Sequence, residues 1–124
     1  MHRTRLTTCL IACLIAAFLT PTALAQKEYD PRKWEGTIAK FEARDKENAP
    51  PKEAVLFIGS SSIRLWKLDA SFDGVKSINR GFGGSHIEDS TYYADRIIWP
   101  YRPKTIVLYA GDNDISFGKS PDTV

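Results

Sequence analysis

Three short stretches of this chain hold the residue types that acyl transfer needs. Gly59-Ser60-Ser61-Ser62 offers hydroxyls, Gly81-Phe82-Gly83-Gly84 offers backbone N–H groups with no side chain over them, and Gly111-Asp112-Asn113-Asp114 offers an amide donor beside carboxylates. A serine hydroxyl held at a strand-to-helix turn can attack a carbonyl carbon. The N–H of that serine, the N–H of Gly84 and the side-chain amide of Asn113 can together receive the negative oxygen that the attack creates. Losing one such donor typically costs about 3–4 kcal/mol of transition-state stabilisation, so three make a strong oxyanion hole. A general base is still required, and the sequence offers no obvious one.

Each stretch follows an apolar run that reads as a strand. Val55 to Ile58 is continuously apolar and closed by Gly59, the pattern of a strand buried on both faces of a parallel sheet. Val75 to Asn79 is a second short strand, and Thr105 to Tyr109 a third, also expected to be buried. Helical segments alternate with them. Pro31 to Asn48 carries Trp34, Ile38 and Phe41 at three- and four-residue spacing, begins at a proline suited to a first turn, and ends at Pro50-Pro51. Ser61 or Ser62 can cap a short helix running to Trp66. His86 to about Arg96 reads as another helix, followed by the stiff connection Trp99-Pro100-Tyr101-Arg102-Pro103. Strands alternating with helices predict βαβ units around an open parallel sheet. In such sheets ligands bind at the carboxyl ends of the strands, where all three stretches lie.

Residues 1–25 read as a leader outside the fold. A basic start with Arg3 and Arg5, an apolar stretch from Leu6 to Leu19, and Ala23-Leu24-Ala25 before Gln26 form a secretory signal with cleavage after Ala25. A lipoprotein signal at Leu10-Ile11-Ala12-Cys13 is the rival reading, although Cys13 comes early and the apolar stretch continues past it. The stretch is short and wrongly flanked for a stable membrane span. The predicted location is therefore secreted or periplasmic. Cys9 and Cys13 both fall in the leader, which excludes disulfides, thiolate catalysis and cysteine-based zinc sites from the mature chain. The 17 basic residues, less Arg3 and Arg5, balance the 15 acidic ones, so no basic stripe argues for nucleic acid. Residues 26–124 make one domain. Ser120-Pro121-Asp122-Thr123 has the form of a helix start directly before the last residue, Val124, and the expectation is the front part of a larger domain.

With these residues in view, the chain resembles the GDSL, or SGNH, hydrolases. Phe57-Ile58-Gly59-Ser60-Ser61-Ser62, Asn79-Arg80-Gly81-Phe82-Gly83-Gly84 and Gly111-Asp112-Asn113-Asp114 look like that family's first three blocks, in order and at matching spacing, from about Glu53 onward. The resemblance implies a flavodoxin-like three-layer α/β/α fold with a parallel sheet, incomplete in this chain. It implies hydrolysis of esters of lipids, acetylated sugars or other acyl compounds, with neither a metal nor an organic cofactor. By position it makes Ser61 the nucleophile, two residues after Gly59. Gly84 and Asn113 become the oxyanion donors, with Asp114 a structural partner of their loop. Two departures stand out. The family's aspartate before the nucleophile is Ser60 here, so three serines compete. The family's last block, Asp-x-x-His, which supplies the base, is absent, and without it the hydroxyl stays protonated and weakly nucleophilic. His86, two residues after Gly84, is a possible substitute, but a histidine opening a helix is more often a capping or surface residue.

Plainer readings exist for each feature. Three serines after a strand serve as loop and cap residues in most proteins, and Gly81-x-Gly83-Gly84 can be a tight turn. Neither a dinucleotide fingerprint nor a phosphate loop is present, and Asp112-x-Asp114-x-Ser116 lacks the glycine and closing glutamate of a calcium loop. Trp66, Trp99, Tyr92 and Tyr93 read as core or half-buried rather than as a sugar platform. The favoured function is a serine esterase whose chain as written is inactive. The rivals are a secreted module that binds acylated glycans without cleaving them, and a flavodoxin-like binder of a small ligand or phosphate.

Overall fold

A computed structural model describes residues 29–124; the leader and its cleavage site lie outside the described residues. Strands β1 (Val55–Gly59), β2 (Ser77–Gly81) and β3 (Thr105–Tyr109) form a parallel sheet in the order β2-β1-β3. Leu56, Phe57 and Ile58 of the central strand are all buried. The registers run Val55 to Ser77 and Thr105 at one end, and Gly59 to Gly81 and Tyr109 at the other. The three carboxyl ends are therefore level, and the turn after β1 lies between the other two.

Side-chain alternation along β1 splits the core in two. Leu56 and Ile58 join Ile78 and Phe82 on one face, under Ile38 and Phe41 of helix α1 (Glu35–Glu47) and under Tyr93 and Ile97. Phe57 turns to the other face, where it packs with Ile63 of α2 (Ser61–Leu65), Leu68 of α3 (Leu68–Ser71) and the half-buried Val107. Helices on both faces of a parallel sheet are the α/β arrangement that the apolar runs predicted. Among the described residues no helix is long and apolar enough to cross a membrane.

Several boundaries differ from the sequence reading. The second strand begins two residues late and includes Gly81, because Val75 is spent in a turn, its N–H donating to the Phe72 carbonyl at 3.1 Å. The strand instead buries Arg80, whose guanidinium meets Asp45 at 2.6 Å and lies over the rings of Phe41 and Tyr101. The helix expected from His86 to Arg96 is broken at Tyr93 into α4 (Ile87–Tyr92) and α5 (Ala94–Ile97). Tyr93 is fully buried there, and its hydroxyl donates to the Pro31 carbonyl at 3.3 Å. Strand β3 has the predicted span but not the predicted burial. Ile106, Leu108 and Tyr109 are exposed, since no described strand pairs with its outer edge and little packs on its faces. Tyr92, Trp66 and Trp99 are exposed as well, which corrects the expectation of core or half-buried rings. The first helix matches its expected span once a turn of 3-10 helix (Pro31–Trp34) is counted with it.

Gly59 shows how tightly the level strand ends are drawn together. Its φ is +140°, and a Cβ built on it would lie 1.8 Å from the Tyr109 carbonyl oxygen. Gly59→Ala is expected to lower the stability of the full chain by at least about 3 kcal/mol in urea denaturation. Gly36→Ala, in open space on α1, is expected to leave it unchanged or raise it by up to about 1 kcal/mol.

Candidate active site

The turn after β1 separates the three competing serines. Ser60 is fully buried: its N–H donates to the Tyr109 carbonyl at 3.1 Å and its hydroxyl to Asp112 Oδ1 at 3.2 Å. Ser60 thus ties the central strand to the loop after β3 and has no hydroxyl to spare. Ser62 faces solvent on α2. Ser61 is half-buried at the first position of that helix, with no hydrogen bond to its hydroxyl among the described residues. The hydroxyls of Ser61 and Ser62 are thus both unbonded among the described residues, and that of Ser61 is the nearer in sequence to the end of the central strand.

The helix carrying Ser61 is fixed by two features of β2. Asn79 donates from its amide to the Ile63 carbonyl at 2.7 Å and accepts the Gly81 N–H at 2.9 Å. At Gly81 a Cβ would lie 2.2 Å from the backbone nitrogen of Arg64, so only a bare backbone lets α2 approach so closely. The sequence reading gave Asn79 no role. An asparagine at the end of a predicted strand was the available signal, and its partner on another element was not.

The other two loops are joined side by side. Asn113 lies on the short helix α6 (Asp112–Ser116), and its amide donates to the Ser85 carbonyl at 2.9 Å. One amide hydrogen is used in that bond and a second remains. Gly84, the residue before Ser85, is exposed at φ +81°, a conformation that favours glycine. The ring of Trp34 lies 3.8 Å from the position a Cβ would take there.

Asp114 holds these loops together from beneath. It is fully buried, accepts the Ile87 N–H at 3.0 Å on one oxygen and meets Lys119 Nζ at 2.9 Å on the other. Burial by itself would raise its pKa. The Lys119 ammonium, the Ile87 N–H and the nearby His86 outweigh it and hold the carboxyl below the usual range. A second buried carboxylate, Asp89, went unnoticed in the sequence. It accepts the His86 N–H at 2.7 Å, the Trp34 indole at 3.0 Å and the Tyr29 hydroxyl, fixing the start of α4 just past Gly84. Burial, followed by the bond to Asp89, pushes the Tyr29 phenol far above its ordinary pKa.

His86 makes no hydrogen bond to Ser61 among the described residues. It opens α4, as a capping histidine would, yet it is buried rather than on the surface. Its ring stacks on Tyr29 at 4.0 Å and meets the edge of Phe117 at 5.3 Å. Nδ1 has no hydrogen-bond partner and lies 3.7 Å from both Asp114 and Glu88. Nothing links it to Ser61. Among the described residues no group of three or more His, Cys, Asp or Glu is arranged to hold a metal ion.

No protein-family model and no curated protein matches the chain. Among solved structures it is similar to a protein from Streptococcus pneumonia provisionally named a platelet activating factor, with a TM-score of 0.55 and 24% identity. The match covers 67% of this chain and 39% of that one, so the chain spans well under half of that protein's length. At this identity the likeness shows a shared fold.

The depressed pKa of Asp114 carries a sign. Its stabilising effect is fully present above the unfolded-chain value of about 3.9 and is lost as pH falls through the lower folded value. Asp114→Asn is expected to cost about 3–5 kcal/mol at pH 7. The gap to the parent chain should close as denaturation is followed from pH 5 down to strongly acid conditions.

Proposed function

We propose that this chain carries the nucleophile and the oxyanion hole of a secreted serine ester hydrolase of the SGNH type, acting on acyl or acetyl esters of a lipid or glycan. The observation that supports this most strongly is the division of labour after the central strand. Ser60 is consumed in holding the turn, while the Ser61 hydroxyl is free, flanked by loops that carry Gly84 and Asn113 and are bonded to each other. The order of the three sequence blocks and the fold shared with the streptococcal protein point the same way.

In this reading Ser61 Oγ attacks the ester carbonyl and its proton passes to a base. The carbonyl oxygen becomes an oxyanion, met by the Ser61 N–H, the Gly84 N–H and the remaining Asn113 amide hydrogen. Collapse expels the alcohol and leaves an acyl group on Ser61, which water then hydrolyses. Asn113 reaches the oxyanion already oriented, because the Ser85 carbonyl holds its other hydrogen. Asp114 acts through the loop and does not touch the substrate. The sequence as given holds no Asp-x-x-His, and His86 stacks on Tyr29 with Phe117 at its edge.

An external base tests this. Imidazole added to the full chain is expected to raise the rate of p-nitrophenyl acetate cleavage above the imidazole background, and Ser61→Ala should abolish the increment. Asn113→Ala should reduce it by about 10²–10³. An increment that survives Ser61→Ala would sink the reading. Saturable binding of an acetylated glycan with no Ser61-dependent cleavage would instead support a binding module.

A further inference from the structure

A second candidate site lies beside the first. Between α1 and α2, at the free edge of β2, is a cleft of about 460 Å³. Its lining is largely apolar and includes the small exposed part of Phe41, the exposed Ala43 and the bare backbone of Gly81. Its rim is cationic, with Lys40 and Arg44 on α1 facing Arg64 on α2. None of the three is ion-paired among the described residues, whereas Arg80 and Arg96 nearby are. Glu47 is the one acid in the lining, so cations outnumber it three to one. The Arg44 guanidinium lies 5.0 Å above the Phe41 ring, which brings charge directly over the apolar floor.

Three exposed, unpaired cations round an apolar lining leave a net positive charge, and an anion is the ligand that complements it. The apolar floor selects an anion that carries a hydrocarbon part. The volume suits a small molecule rather than a protein segment. We infer that this cleft binds an aliphatic carboxylate, its chain on Phe41 and Ala43 and its head group between Arg64 and Arg44.

Arg64 also connects the cleft to the loop after β2. A Cβ on Gly83 would lie 2.7 Å from Arg64 Nε, so the guanidinium rests against the residue before Gly84. A carboxylate held by Arg64 would therefore sit next to the loop that carries an oxyanion donor. The binding inference does not depend on the hydrolase reading, and it can be measured on a chain with no nucleophile.

The test is calorimetric titration of the full chain, parent and Ser61→Ala, with sodium decanoate and with decanol at low salt. Saturable one-to-one binding of decanoate is expected, equal in the two proteins, with decanol about tenfold weaker or more. The double variant Arg44→Ala/Arg64→Ala should weaken decanoate about tenfold, while Lys104→Ala, far from the cleft, should not. Both arginines are exposed, so the double variant is expected to keep the parent's circular dichroism spectrum and melting point. Equal affinity for decanol, undiminished decanoate binding in the double variant, or no saturable binding would each overturn the inference.

Discussion

The Tyr109 carbonyl occupies the space that a side chain on Gly59 would need, and the candidate site depends on that close approach. With no Cβ in the way, the end of β3 lies against the end of β1 and the same carbonyl takes the Ser60 N–H. Ser60 is thereby drawn into the interior and its hydroxyl directed to Asp112. The chain turns at once into α2, with Ser61 as its first residue. On the other side the Phe82 N–H donates to the Gly59 carbonyl at 2.9 Å. One glycine thus fixes the turn that places Ser61 between the loops after β2 and β3.

The loops after β2 and β3 are held by a different kind of force. Two buried carboxylates, Asp89 and Asp114, each gather several donors from separate parts of the chain. A buried carboxyl is costly unless hydrogen-bonded, and these bonds specify where the partners must lie, although Oδ1 of Asp89 is left without one among the described residues. Asp114 joins the start of α4 to the segment after α6, and Asn113 beside it closes the same gap through Ser85. Preorganisation of this sort is what an oxyanion hole requires, because the donors must not rearrange as charge develops.

What could be read from the sequence was whatever depends on local pattern. The first and third strands were legible because an apolar run ending in glycine has few other uses, and the first helix because Trp34, Ile38 and Phe41 keep helical spacing. The second strand was misplaced by two residues because Asn79 and Arg80 look like surface residues. They are satisfied by Ile63, Asp45 and Tyr101, partners distant in sequence. The break at Tyr93 comes from a buried phenol bonded to the segment before α1, which no local propensity encodes. For the same reason spacing left three serines in competition. Asp112, 52 residues away, is what occupies Ser60.

The central claim is that Ser61, and neither of its neighbours, is the nucleophile. Peptide mapping by mass spectrometry, after the full chain reacts with an alkyl fluorophosphonate in the presence of imidazole, tests it most directly. A phosphonyl group is expected on Ser61 alone. Modification of Ser60 or Ser62, or no modified serine in that peptide, would contradict it.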